Sequence, residues 1–486
     1  MGNYILAIDQ STAGTKAIIF NRMAEVVSRC DVPHRQYRPQ PGWLEHDPEE
    51  IYQNVIKGIR GVLTQSGIPA GEIHALSVTN QRETTLLWTP RGEPAYRAVV
   101  WQCARAEEWM KRPSIVASYP MIMESTGLMP SPYFSAAKAA WIMEHIQPKE
   151  KLLFGTMDSW VLWKLTGNHV TDFSNASRTQ LFHIRDLRWD PNLLELFGLQ
   201  NVEMPQVKCS DEIFGYTTAE GIFPHPIPVS GIMGDSHGAL FGQQCWQRGM
   251  AKCTFGTGGS VMMNIGDVPL PSQNRLATSI AWGLGGAVTY VFEGVIMSMG
   301  DTIRWLADEM GLIQNSGQSE PLAEQVPSTG GVYLVPAFGG LGAPYWNSTA
   351  RGLICGIQRD TDKRHVVRAG LESIAYQIRD IIEPMAKDAG LCFSELRVDG
   401  GPTNNRWLMQ FTADLLGVSV VKNDVEELSS LGAAYAGGLA TGFWKDREEL
   451  ESLRKTADIY QRKVSEKTAD DCYQGWKQAV SFLTKT

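Results

Sequence analysis

Residues 4–20, YILAIDQSTAGTKAIIF, constrain the fold more than any other stretch of this chain. Two apolar runs flank a polar, glycine-containing loop that opens with a carboxylate, Asp9. Short β-branched runs on either side of a turn cluster predict a β-hairpin. The runs barely alternate, so both strands should be buried on both faces. What remains to meet solvent is the tip, which presents Asp9, Gln10, Ser11, Thr12, Gly14, Thr15 and Lys16. Hydroxyls, loop amides and an ammonium can cradle phosphate oxygens, and Asp9 can hold a hydrated Mg²⁺. The same residue types fill ordinary turns, so this hairpin alone leaves both readings open. A second stretch of the same character, KCTFGTGGSVMMNI at residues 252–265, lies roughly halfway along the chain. Two such hairpins predict two similar domains facing a nucleotide between them. The first hairpin fits neither the Walker loop nor the Rossmann glycine pattern, and no P-loop occurs elsewhere.

A chain of 486 residues is too long for one core. The expected division is residues 1–246 and 247–486, with a hinge near 240–250. A net charge of −8 without a sustained basic run argues against nucleic acid as a partner. Eight scattered cysteines, no CxxC pair and no signal peptide predict reduced thiols in the cytoplasm. No apolar run approaches the roughly 18 residues that a membrane span needs. No clustered His/Cys set suggests a structural metal.

Along the chain, residues 45–66 read as a helix with Asp47 as cap and Pro48 in its first turn. Residues 73–79 form a strand that ends in Asn80-Gln81-Arg82-Glu83, and residues 99–101 form another ending at Trp101. Charged groups at the carboxyl edge of a sheet lie where α/β folds bind ligands. Residues 131–145 are expected as a helix capped by Ser131, with Tyr133 offering its hydroxyl to a cleft. Residues 154–166 are expected as a helix ending at Gly167. A strand at 224–229 leads into SGIMGDSH, whose Asp235 is the candidate general base; a helix N-cap is the ordinary role for such a residue. Further on, a strand at 396–398 runs into Asp399-Gly400-Gly401 and a helix at 406–416, a seat for a phosphate or an adenine edge. The small-residue helix at 429–441 can pack closely on a neighbour. The charged tail, 445–485, is expected as mostly exposed helix.

Several stretches together resemble the FGGY family of carbohydrate kinases, and within it the glycerol kinases. They include VTNQRETT (78–85), VVWQCAR (99–105), TDFSNASRT (171–179), LGAPYW (341–346) and LRVDGG (396–401), in order and over nearly the whole chain. The resemblance implies two α/β domains of the actin and hexokinase type, RNase H-like in topology, with an ATP cleft between them. It implies that Thr12, Ala13, Gly14, Lys16, Thr257, Gly258, Gly300, Gly401 and Asn405 hold the nucleotide. Asp9 and Asp235 would sit near Mg²⁺. Arg82, Glu83, Trp101, Tyr133 and Asp235 would hold a small polyol, with Asp235 taking the proton of the attacking hydroxyl. The competing classes are a ketose kinase of the xylulokinase type, a plain ATPase, and an actin-like switch that does no chemistry on a second substrate. Homodimers and homotetramers are common in the family.

Two polyol-side positions depart from the glycerol-kinase pattern: Ser236 stands for Gln and Ser260 for Phe. Both are smaller and more polar, which predicts a roomier pocket and a four- or five-carbon substrate. Compensation by neighbours such as Trp282 would leave glycerol as the substrate. The region 219–226 lacks the arginine of the fructose 1,6-bisphosphate loop, so no such control is expected. Arg304 stands for a Gln near the nucleotide.

Overall fold

A computed structural model describes residues 2–425 and 427–484. The first hairpin forms as the apolar runs require: β1 (Tyr4–Gln10) pairs antiparallel with β2 (Gly14–Phe20). With β3 (Val26–Pro33) they make a meander, and β4 (Ile73–Asn80) lies parallel to β1 on its other side. Beyond β4 lie β6 (Ile227–Gly234), parallel to it, and β5 (Ile213–Thr217) at the edge, giving the order β5-β6-β4-β1-β2-β3. The second half repeats this scheme. Here β7 (Ala251–Phe255), β8 (Gly259–Gly266), β9 (Ala277–Leu284), β10 (Ala287–Ile296), β11 (Glu395–Asp399), β12 (Ser419–Asn423) and β13 (Thr456–Tyr460) run β9-β10-β8-β7-β11-β12-β13. Strand for strand, β7, β8, β10, β11, β12 and β13 occupy the places of β1, β2, β3, β4, β6 and β5, in the same parallel and antiparallel senses.

Helix α1 (Pro48–Ser66) begins where Asp47 accepts from the amides of Glu49 and Glu50, and it covers one face of the first sheet. Such a cap contributes about 1 kcal/mol. The catalytic candidate opens α2 (Asp235–Gly242), and the remaining helices of the second half include α3 (Gly300–Asp308), α4 (Lys363–Ala389), α5 (Arg406–Leu416), α6 (Leu428–Thr441) and α7 (Glu466–Thr484). Helices α2 and α6 pack against each other between the two sheets. One buried cluster joins Ile5, Ala7 and Phe20 of the first sheet to Leu431 and Ala434 of α6 and to Met262 and Val291 of the second. The small residues permit this approach: a Cβ on Gly432 would meet the carbonyl oxygen of Gly238 at 1.9 Å. The expected close-packing role of residues 429–441 is therefore realised, and its partner is the helix that carries Asp235.

Four local expectations need correction. The helix expected from Ser131 starts at Ser135, and Ser131 caps a turn by accepting from the Tyr133 amide at 3.2 Å. Residues Leu153–Gly155 are a strand paired with Leu86–Trp88, and only Met157–Thr166 is helical, ending at Gly167 as expected. Only Ala98–Val99 pairs as a strand, and Trp101 lies in the turn beyond it. The tail is not mostly exposed helix: β13 adds an antiparallel edge to β12, and α7 buries Ala469, Tyr473, Trp476, Ala479 and Val480. Those apolar positions recur at three- and four-residue spacing, so the charges occupy only the outer face. Tyr473 and Trp476 donate to Asp380 at 2.6 and 2.8 Å, which fastens α7 to α4. The tail's last residue, Lys485, lies outside the described residues.

Candidate active site

Asp9 and Lys16 face each other across the β1–β2 pair, at its loop end. The Lys16 ammonium is 3.4 Å from Asp9 and 3.0 Å from Glu427, which also pairs with Arg29. Burial pushes the Asp9 carboxyl up to about 6; Lys16 works against that rise, while the charges of Glu427 and Asp235 add to it. Thr12 ties the hairpin tip to Trp101 and Gln81. Its hydroxyl accepts from Trp101 Nε1 at 2.9 Å and donates to Gln81 Oε1 at 3.4 Å. Ala13 is exposed at the tip, and Gly14 runs close against Val32 and Pro33 of β3.

Strand β4 delivers Arg82 and Glu83 just beyond its carboxyl end. Glu83 has φ +61°, a left-handed conformation that costs a non-glycine residue of order 1–3 kcal/mol. Its surroundings enforce it: the Glu83 carbonyl accepts from Ser135 and Thr85 hydroxyls at 3.2 and 2.9 Å, and its carboxylate accepts from Arg178 Nε at 2.7 Å. Arg82 is nearly as buried. Its Nε lies 3.0 Å from Asp235 Oδ1, its two terminal nitrogens donate to Glu293 at 3.0 and 2.8 Å, and NH2 also donates to Ser236 Oγ at 3.3 Å. The rings of Trp101 and Tyr133 meet edge-on with centroids 5.5 Å apart, and burial with the nearby Glu83 charge pushes the Tyr133 phenol far up. Tyr133 is held in place by Lys138, a fully buried lysine whose ammonium donates to the carbonyls of Pro132, Tyr133 and Phe134.

Asp235 is the first residue of α2, and the cap position belongs to Gly234, so the carboxylate is not occupied as a helix cap. It accepts from the Ser236 amide at 2.6 Å and keeps 42% of its side chain exposed, whereas its partner Arg82 keeps 6%. A carboxylate that is oriented by a buried guanidinium yet open on its far side can take a proton from a bound hydroxyl. Ser260, on β8, donates to Glu293 Oε1 at 2.9 Å. Trp282 packs against Phe241 in the buried interdomain cluster, ring centroids 5.1 Å apart.

Across the cleft a cavity of about 510 Å³ is lined by Thr257, Gly300, Arg304, Gly401 and Asn405, among others. Gly258 sits in the turn between β7 and β8, beside the Thr257 that the cavity exposes. Asn405 caps α5 by accepting from the Leu408 amide at 2.8 Å. Gly400, at the end of β11, has φ +97°, and a Cβ there would meet the Phe255 carbonyl oxygen at 1.9 Å. This is the close approach of two backbones that shapes the cavity floor. Arg304 NH2 donates to Thr257 Oγ1 at 3.2 Å. For a metal, the described residues contain no cluster of three or more His, Cys, Asp or Glu side chains. The pair Asp9 and Asp235 fits instead an ion that keeps most of its ligands as water and phosphate oxygens, as Mg²⁺ does. The unfavourable burial of Asp9 is what a nearby divalent cation would relieve.

The structure thus gathers Asp9, Thr12, Lys16, Arg82, Glu83, Trp101, Tyr133, Asp235, Ser236 and Ser260 on one side of the cleft and the Thr257, Gly300, Gly401 and Asn405 group on the other. Sequence reasoning missed Glu293, Arg178, Glu427 and Lys138. Glu293 had a readable signal, because it is a lone acid within the apolar strand TYVFEGVI and a buried charge requires a partner.

Comparison with known proteins bears on the family and the fold. The pattern of the N-terminal domain of the FGGY family of carbohydrate kinases matches residues 4–242, and that of its C-terminal domain matches residues 251–441. The chain is 47% identical to glycerol kinase 1 of Thermotoga maritima, covering 99% of each chain, and 45% identical to glycerol kinase of Oceanobacillus iheyensis, covering 98% and 97%. It superposes on the crystal structure of Plasmodium falciparum glycerol kinase with ADP at a TM-score of 0.93 and 33% identity, covering 100% of this chain and 99% of that one. On the repeated sheet, the cleft and these matches together, the chain belongs to the FGGY family of carbohydrate kinases.

Proposed function

We propose that this chain transfers the γ-phosphoryl group of ATP to a terminal hydroxyl of a small polyol, with Asp235 as the general base. The single observation that carries this reading is the half-open carboxylate of Asp235, oriented at 3.0 Å by buried Arg82, between the hairpin tip and the Trp101–Tyr133 wall. In this reading, Glu83 accepts from and Arg82 donates to substrate hydroxyls; the Arg82 proton now aimed at Ser236 over 3.3 Å is the one most readily redirected. Asp235 removes the proton of the attacking hydroxyl, a contribution of roughly 10²–10⁴-fold. Thr12, Ala13, Gly14, Lys16, Thr257, Gly258 and Gly300 surround the phosphates, while Gly401 and Asn405 face the adenosine. Asp9 and Asp235 would hold Mg²⁺, which would supply charge neutralisation on the transferring group. Closure of the two domains around both ligands excludes water, the competing acceptor, from the half-open Asp235.

Glycerol is the acceptor favoured by the relatives, several of which carry the name glycerol kinase at 43–47% identity. A longer polyol is favoured by Ser236 and Ser260, and by the engagement of Trp282 with Phe241 in the core. The division at residues 246 and 247, a cytoplasmic location and a homodimer or homotetramer belong to the same reading. Eight free cysteines are in keeping with a reducing compartment, and no helix among the described residues is long and apolar enough to cross a membrane. ADP release measured with glycerol, tetritols, pentitols and ketopentoses tests the proposal. Polyol-dependent release is expected, with the highest kcat/KM naming the acceptor. Release indifferent to every polyol would overturn the reading in favour of a plain ATPase or a switch.

A further inference from the structure

The polyol side of the cleft is built almost wholly from the first half of the chain, with one charged exception. Glu293 projects from β10 of the second sheet into the group formed by Arg82, Glu83 and Arg178. Its side chain is fully buried, and both oxygens are filled. Oε1 accepts from Arg82 NH2 at 2.8 Å and from Ser260 Oγ at 2.9 Å; Oε2 accepts from Arg82 NH1 at 3.0 Å. Arg178 NH1 stands 2.7 Å from Oε2 as an ion pair rather than an aligned hydrogen bond, while its Nε holds Glu83. The group is therefore two carboxylates and two guanidiniums in alternation, closed to solvent. His237 sits against Arg82 NH1 at 3.5 Å and donates to or accepts from Ser279 at 3.3 Å; two neighbouring guanidiniums and burial hold it neutral.

We infer that Glu293 is a positioning residue through which the second domain sets the polyol site. The reasoning is geometric. A bidentate carboxylate fixes the plane of the Arg82 guanidinium, and that plane aims Nε at Asp235. Through Arg178 the same carboxylate fixes Glu83, whose left-handed backbone would otherwise relax. Glu293 touches neither reacting atom. The polyol site is complete only when the second sheet is docked against residues 82, 83 and 178. The nucleotide cavity, lined by residues 255–257, 300–304, 316–320, 371, 374 and 401–408, contains no member of this group.

The inference rests on the proposed kinase reading, and the experiment separates the two. The wild-type chain is assayed first with the polyol panel; absence of polyol-dependent turnover there removes the reading itself. Given turnover, Glu293→Gln is expected to raise the polyol KM by roughly tenfold or more and lower kcat, with the KM for ATP within about twofold. A purely structural role would lower the active fraction, reducing kcat and leaving both KM values in place. That result, or wild-type constants, overturns the inference. Where Glu293→Gln does not fold, Arg178→Lys keeps the charge but loses the planar bridge between Glu83 and Glu293. It is expected to raise the polyol KM several-fold with the ATP KM unmoved, and a wild-type polyol KM in that variant overturns the inference equally.

Discussion

At the tip of the first hairpin a carboxylate and an ammonium face each other, Asp9 and Lys16; at the matching tip of β7 and β8 there is a hydroxyl, Thr257, among glycines. Six strands of the two sheets share their spatial order and senses, yet the sheets differ in how they use charge. On the polyol side, Arg82, Glu83, Arg178 and Glu293 are all buried and paired. On the proposed nucleotide side the cavity is framed by glycines, two asparagines, two serines, a threonine and apolar side chains, with Arg304 and Glu320 as its charged residues. In the proposed reading the difference follows from the ligands. A polyol offers only hydroxyls, and a site discriminates them by leaving ionised partners unsatisfied when the hydroxyl is missing. A triphosphate brings its own charge, which backbone amides and an accompanying cation can meet.

The sharpest way to break this contrast is at its chemical centre. Asp235→Asn keeps the shape and loses the base. We expect kcat to fall by roughly 10²–10⁴-fold while both ligands still bind within a few-fold of wild type. Near-normal turnover in that variant would take the base role away from Asp235. Next in size is Arg178→Met, which strands the buried carboxylate of Glu83 and takes one of two guanidiniums from Glu293. Breaking a buried pair of this kind costs about 3–5 kcal/mol, read as a lowered denaturant midpoint. Loss of the nucleotide-side cap by Asn405→Ala should cost only about 1 kcal/mol in the same measurement. Equal losses from the two variants would erase the asymmetry between the halves.

The pH dependence belongs to the first hairpin. The Asp9 carboxyl is raised to about 6 by burial, from an ordinary value of 3.8. The folded state therefore holds this proton more tightly than the unfolded chain. Its contribution favours folding of the ligand-free protein on the acid side and fades as the pH rises from about 4 through about 6. Activity should run the other way, because only the ionised carboxylate can serve a cation. kcat/KM for Mg-ATP is expected to fall on acidification through about pH 6, and Asp9→Asn should abolish that limb along with most of the Mg²⁺ dependence. A wild-type profile flat down to pH 5 would show that Asp9 plays no part in it.

How much of this was legible in the sequence differs between the halves. Both hairpins, the cap at Asp47, the strand before Arg82 and the helix at 406–416 carry local signals: turn residues, caps and unbroken apolar runs. Of the proposed polyol residues, Arg82 and Glu83 were reachable because they follow the end of a strand, and Trp101 and Tyr133 because they fall in stretches that resemble the family. The role of Arg178 was not, and Glu293, though marked as a lone acid in an apolar strand, gave no sign of its partner, since both roles arise from pairing across 95 and 211 residues of chain with Glu83 and Arg82. The error at the tail has the same origin. Residues 456–460 become a strand only because β12 offers an unpaired edge, and α7 buries one face only because Asp380 waits beneath it. Ser131 was misassigned as a helix cap because the turn it closes and a helix start look alike over four residues.

The smallest expected effect tests whether the nucleotide side is as weakly charged as it looks. Arg304 is exposed at the mouth of the cavity and reaches Thr257 at 3.2 Å. A guanidinium there can meet a phosphate oxygen, but in solvent such a contact is worth about 0.2–1 kcal/mol. Arg304→Gln should therefore raise the KM for ATP by only about two- to fivefold, leave the polyol KM in place, and lose most of that difference in added salt. Screening distinguishes it from the buried groups opposite, whose effects should persist at high ionic strength because no counterion reaches them. A salt-insensitive rise of tenfold or more would mean that Arg304 is desolvated when ATP binds, and that the second half, like the first, recognises its ligand through a buried charge.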